Sequence, residues 1–132
     1  MDAPQGPLVL VVDDYDDARE MYAESLLVSG FRVAEAADGA QAVELARSLS
    51  PDVILMDLSL PGVDGWEATR QLKADARTQH IPVVALTGHA LSSAIDAARE
   101  AGCDRFVVKP ALPEVVIDEV RRAISKKEAP VH

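Results

Sequence analysis

Five short aliphatic runs recur along this chain, and each gap between them carries helical spacing. That alternation limits the fold more than any other feature. The runs are Leu8–Val12, Phe31–Glu35, Val53–Asp57, Pro82–Thr87 and Arg105–Lys109. Four are nearly continuous in Val, Ile and Leu, the pattern of strands covered on both faces; Phe31–Glu35 alternates and reads as an edge strand. The first gap holds Ala18, Met21, Tyr22, Ser25 and Leu26 and stops at Gly30. The second opens on Asp38 with Gln41 three residues on, a helix-start signal, and carries Ala42, Leu45, Ala46 and Leu49. Asp64 and Glu67 repeat the start signal before Ala68 and Leu72, whereas Leu91 to Ala101 is weakened by Ser92 and Ser93. Pro113 suits a first helical position, with Val115, Val116, Val120 and Ile124 expected inward, and Met21 and Met56 are expected in the core.

Strict β-α alternation predicts parallel strands joined by right-handed crossovers. The expectation is one α/β domain over residues 7–125, a doubly wound five-stranded parallel sheet with helices on both faces. Residues 1–6 and 126–132 read as frayed tails.

Composition narrows the function classes. The 132 residues include 13 Lys and Arg against 22 Asp and Glu, a net charge of −9. That balance disfavours duplex nucleic acid and anionic membrane surfaces, both of which select basic faces. The single cysteine, Cys103, excludes an internal disulfide and suits a reducing compartment. No apolar run approaches the ~20 residues of a membrane span, and the start MDAPQGP lacks a signal pattern. A cytoplasmic protein is expected.

In open parallel sheets, ligands sit beyond the carboxyl ends of the strands. Here those ends carry Asp13 and Asp14, Asp57, Thr87, and Lys109 followed by Pro110. Carboxylates ~5 Å apart repel by roughly 3 kcal/mol at an effective dielectric of ~20. One lysine cannot neutralise three of them, so a hard divalent cation is implied, and Mg²⁺ fits best because it partners carboxylates and phosphate. With a lysine and a hydroxyl alongside, the set suits phosphoryl transfer with a carboxylate as nucleophile.

Taken in order, VVDDYDDAR, DLSLPGVDG, LTG and FVVKP resemble the receiver domain of two-component response regulators, of the chemotaxis-regulator-like single-domain type, across residues 8–124. The resemblance implies a flavodoxin-like strand order 2-1-3-4-5 and a switch that accepts phosphate from a histidine kinase or histidine phosphotransfer protein. It implies Asp57 as phospho-acceptor, with Mg²⁺ held by Asp14, Asp57 and the Ser59 carbonyl, and Asp13 acting through water. Lys109 and Thr87 would contact the phosphoryl group, and Phe106 would be the aromatic that follows Thr87. Gly88, His89 and Ser59 would border that group, with His89 and Ser59 tuning its lifetime. Lys109-Pro110 matches a cis peptide position. An altered surface of helix 4, strand 5 and helix 5 would then bind a downstream protein. Such a domain modifies only itself, so turnover of a separate substrate is not expected.

Plainer readings stand beside these. Asp14 could cap the first helix, Phe106 could be core, and His89 could be a solvated loop residue. Residues 88–102, with Gly88 at the start and Ser92 and Ser93 ahead, are expected to be the least rigid element. Ile117 with Arg121 and Arg122 fits either an interaction surface or a solvated face. A flavin carrier shares the fold, but the loop DDYDD would repel phosphate. An aspartate-nucleophile phosphatase needs a second acid where Ser59 stands. Nothing resembling an output domain follows residue 124, which leaves a stand-alone regulator and a receiver excised from a hybrid kinase or longer regulator both open.

Overall fold

The fold is given by a computed structural model that describes residues 6–58, 65–88 and 92–128. The chain alternates β1 (Leu8–Val12), α1 (Asp16–Val28), β2 (Arg32–Ala36), α2 (Gly39–Leu49), β3 (Val53–Asp57), α3 (Gly65–Ala74), β4 (Val83–Thr87), α4 (Ser92–Ala101), β5 (Arg105–Val108) and α5 (Pro113–Glu128). All strand pairs are parallel, in the order β2-β1-β3-β4-β5. This is the expected doubly wound α/β sheet. Helix α5 continues to Glu128, past the boundary at 125 read from the sequence.

Alternation along each strand divides the core in two. Leu10, Val12, Ile54, Met56, Val83 and Ala85 face one layer, where Ala42, Ala46, Ala68 and Leu72 from α2 and α3 cover them. Val9, Val11, Val53, Leu55, Val84, Leu86 and Val107 face the other, under Tyr22 and Leu26 of α1 and Val116, Val120 and Ile124 of α5.

Local signals set the helix ends. Asp38 accepts from the Gln41 amide at 2.8 Å, and the Gln41 side chain reaches back to the Ala37 amide at 2.8 Å. Helix α1 closes with paired bonds, Phe31 N–H to the Leu26 carbonyl and Gly30 N–H to the Leu27 carbonyl. Gly30 takes a φ of 97°, which a side chain would strain.

Four sequence expectations need correction. Met21 is 41% exposed and Val115 45% exposed. Each precedes a buried residue, Tyr22 or Val116, and a step of about 100° per residue carries it off the apolar stripe. Leu49 lies on the α2 stripe but is exposed at its last position, where the chain turns away through Ser50. The fourth concerns β5, which read as covered on both faces. It is the second edge strand, and only Val107 in it is buried.

Candidate functional site

The alternation that splits the core also sorts the polar residues at the carboxyl edge. Continuing each strand's parity, Asp13 follows Val9 and Val11, Asp57 follows Val53 and Leu55, and Lys109 follows Val107. These three therefore share the α1/α5 side. Thr87 follows Val83 and Ala85 onto the opposite side, the layer against which Phe106 packs.

The charged groups meet. Lys109 Nζ donates to Asp57 Oδ2 at 2.9 Å and lies 3.8 Å from Asp13 Oδ2. Carboxylate oxygens of Asp13, Asp14 and Asp57 lie within 4.8 Å of one another, with Asp13 and Asp57 buried and Asp14 exposed. Burial of Asp13 raises its pKa; the hydrogen bond from the Tyr15 amide opposes this, and the neighbouring Asp57 adds to the rise. For Lys109, burial alone would lower the pKa, but its bond to Asp57 and the charges of Asp57 and Asp13 outweigh that and raise it. The phenol of Tyr22, buried on α1, is pushed up by burial, with Lys109 pulling the other way.

The donor set fits Mg²⁺. Among the described residues, Asp13 Oδ2 is the buried side-chain oxygen with no hydrogen-bond partner. Its other oxygen takes the Tyr15 amide at 3.0 Å. A sealed carboxylate oxygen that accepts no hydrogen bond, 3.8 Å from the Lys109 ammonium and beside two more carboxylates, is costly unless a further cation offsets it, and an all-oxygen set suits a hard one. The plainer reading of Asp14 finds no support, since the N-cap of α1 is Tyr15 and makes no side-chain cap bond.

Other residues named from sequence are placed as follows. Thr87 is buried at the end of β4, and its carbonyl accepts from the Lys109 amide at 2.7 Å. Phe106 is half-buried, with the Arg99 guanidinium 5.6 Å from its ring centre. Gly88 is exposed, and a Cβ there meets none of the described atoms within 4 Å. The Lys109-Pro110 peptide is cis. Ser59 and His89 lie outside the described residues, as do residues 89–91 of the segment expected to be least rigid. Ile117 packs against the α1/α5 core, Arg121 sits over the Phe31 ring at 5.9 Å, and Arg122 pairs with Asp118. Those contacts favour the structural reading of that face.

Two site-shaping residues escaped the sequence reading. Gly65 starts α3 so close to β3 that a Cβ would stand 2.3 Å from the Asp57 carbonyl oxygen. Only the helix-start signal of Asp64 and Glu67 pointed to that stretch, and it gave Gly65 no part. Arg19 donates to the Asp13 carbonyl at 2.9 Å; its signal was weak, an arginine one turn beyond the acidic pair.

Comparison with known proteins agrees with the geometry. The chain matches the response regulator receiver domain over residues 9–121. It is 36% identical over 102 residues to the polar-differentiation response regulator DivK of Brucella ovis, covering 77% of this chain and 83% of that protein. Among solved structures it resembles chemotaxis protein CheY4 of Vibrio cholerae, with 28% identity, a TM-score of 0.86, and coverage of 90% and 99% of the two chains. It likewise resembles the receiver domain of sensor histidine kinase PA1611 from Pseudomonas aeruginosa PAO1, solved with a magnesium ion in its active-site cleft. There the identity is 33%, the TM-score 0.85, and the coverage 92% and 99%. An acidic cluster at the carboxyl edge of a 2-1-3-4-5 sheet, with its lysine in place, belongs to a phospho-accepting signalling module, and this chain is a member of the response regulator receiver domain family.

Proposed function

We propose that the chain is a phosphorylatable switch that accepts a phosphoryl group on Asp57 from a histidine kinase or histidine phosphotransfer protein. The observation that carries this is the buried Asp57 carboxylate, held by Lys109 at 2.9 Å with Asp13 and Asp14 alongside. One oxygen of Asp57 attacks the phosphorus of the donor's phosphohistidine. The O–P bond forms as the N–P bond breaks, and the histidine nitrogen leaves with the bonding pair. Lys109 offsets charge on the acceptor and then on the phosphoryl oxygens. Asp14, Asp57 and the Ser59 carbonyl would hold Mg²⁺, with Asp13 close by. When bound, the cation supplies the charge neutralisation that three carboxylates and a phosphoryl group demand.

The readout runs through the other layer. Thr87 turns toward the phosphoryl group and Phe106 follows, altering the surface of α4, β5 and α5 for a downstream protein. The register supports this: Thr87 pairs with Val108, and Phe106 pairs with Ala85 one same-side step below Thr87. A receiver module of a hybrid kinase is the second reading, favoured by the likeness to the PA1611 receiver domain. Both use the same chemistry, and both act in the cytoplasm. Among the described residues no helix is long and apolar enough to cross a membrane.

The test is beryllofluoride, a phosphoryl mimic, followed by fluorine NMR. A bound signal that needs both Mg²⁺ and intact Asp57 is expected. A signal that persists in Asp57→Asn contradicts the assignment.

A further inference from the structure

The turn after β1 must hold two consecutive acidic residues beside a third, against their mutual repulsion. Its backbone is fixed from two directions. The Asp13 N–H donates to the Ala36 carbonyl of β2 at 3.1 Å. The Asp13 carbonyl, which belongs to the peptide joining Asp13 to Asp14, accepts from Arg19 Nη1 at 2.9 Å. Arg19 is itself anchored: Nε donates to Glu35 Oε1 at 3.1 Å and Nη2 to Asp16 Oδ1 at 2.7 Å, with the side chain 15% exposed. Three nitrogens of one planar group thus reach β2, the first turn of α1 and the acidic turn. A lysine, with one ammonium on a flexible stem, cannot reproduce that fork.

We propose that Arg19 is a positioning residue for cation binding. It fixes the peptide that carries the Asp13 and Asp14 carboxylates, and its own bonds to Asp16 and Glu35 hold the guanidinium in place to do so. Magnesium demands near-ideal ligand placement, so loosening that peptide weakens the ion's hold without removing a ligand. This inference rests on the Mg²⁺ reading of the acidic cluster.

The experiment compares wild type, Arg19→Met, Arg19→Lys, Glu35→Ala and Arg47→Met. The last breaks an ion pair with Asp75 far along the sequence from the acidic turn. Mg²⁺ affinity is read by calorimetry, thermal stability without metal separately, and the acyl-phosphate labelling rate as a function of Mg²⁺. Arg19→Met is expected to bind Mg²⁺ about tenfold more weakly, as outer hydrogen-bond partners of metal ligands do when lost. Its labelling rate should recover at saturating Mg²⁺, a loss in binding and not in chemistry. Arg19→Lys should restore little, Glu35→Ala should show a smaller loss, and Arg47→Met none. Equal affinity in wild type and Arg19→Met overturns the inference. So does weakening in Arg47→Met in proportion to its lost stability, because Arg19 would then be merely structural. Should Arg19→Met not fold, Glu35→Ala decides, and unchanged Mg²⁺ affinity there overturns the proposal. If wild type itself binds no Mg²⁺, it is the reading of the cluster that fails.

Discussion

Lys109 is hydrogen-bonded to Asp57 at 2.9 Å but stands 3.8 Å from the Oδ2 of Asp13, so the one ammonium serves one carboxylate fully and the other poorly. Asp13 is left with a buried oxygen that accepts no hydrogen bond and with a raised pKa. A carboxyl whose folded pKa is raised binds its proton more tightly when folded. Its charging therefore costs stability as pH rises through the window above 3.8.

Asp13→Asn should accordingly stabilise the metal-free protein at neutral pH, by about 0.5–2 kcal/mol. Asparagine keeps the acceptor for the Tyr15 amide and removes the charge. The gain should vanish below pH 3.8, where the wild-type carboxyl is protonated in both states. Urea unfolding across pH measures it; a destabilised variant at pH 7 would sink the argument. Mg²⁺ should stabilise wild type by about 2.7 kcal/mol at one hundred times its Kd, and Asp13→Asn by less at the same concentration.

Gly65→Ala tests the contact between α3 and the acceptor strand. A Cβ 2.3 Å from the Asp57 carbonyl oxygen and 2.6 Å from Leu58 Cα meets backbone, which cannot swing aside as a side chain could. The strand end must move, at about 1–3 kcal/mol. Because misplacement of a reacting group by ~1 Å can cost ~100-fold, labelling of Asp57 should slow by ten- to a hundredfold. A variant as stable and as reactive as wild type contradicts the packing.

The chain has two phenylalanines, Phe31 and Phe106, so fluorophenylalanine labelling gives two assignable resonances. Addition of Mg²⁺ and beryllofluoride should shift Phe106 and leave Phe31, which is buried in the α1/α5 core, in place. Thr87→Ala should still form the adduct yet lose the Phe106 shift. An unmoved Phe106 resonance in wild type would remove the aromatic from the switch.

The receiver resemblance implies that Ser59 and His89 border the phosphoryl group. Ser59→Ala and His89→Ala should each change the hydrolysis rate of phosphorylated protein severalfold while leaving the Mg²⁺ requirement intact. Phosphate release after donor removal measures this. Unchanged rates in both variants leave those positions without a part in phosphate lifetime.

Much of this was readable from the chain because a parallel sheet writes itself in runs: VILMD needs burial on both faces and then an edge. The strand ends then place Asp13, Asp57, Thr87 and Lys109 without further information. What escaped depends on the third dimension. Met21 and Val115 are apolar neighbours of core residues, and a helix step of one position exposes them. β5 has the composition of a central strand but no neighbour beyond it. Arg19 meets Glu35 across sixteen positions of sequence, a contact that no local pattern encodes. Gly65 matters through an atom of Asp57, eight positions back, and not through its own helix.

The most direct measurement of the central claim is intact mass after incubation with an acyl-phosphate donor, with and without Mg²⁺, for wild type and Asp57→Asn. The account predicts that wild type gains the mass of one phosphoryl group, only when Mg²⁺ is present, and that Asp57→Asn gains none. Equal labelling of the Asp57→Asn protein, or labelling of wild type that ignores Mg²⁺, would contradict it.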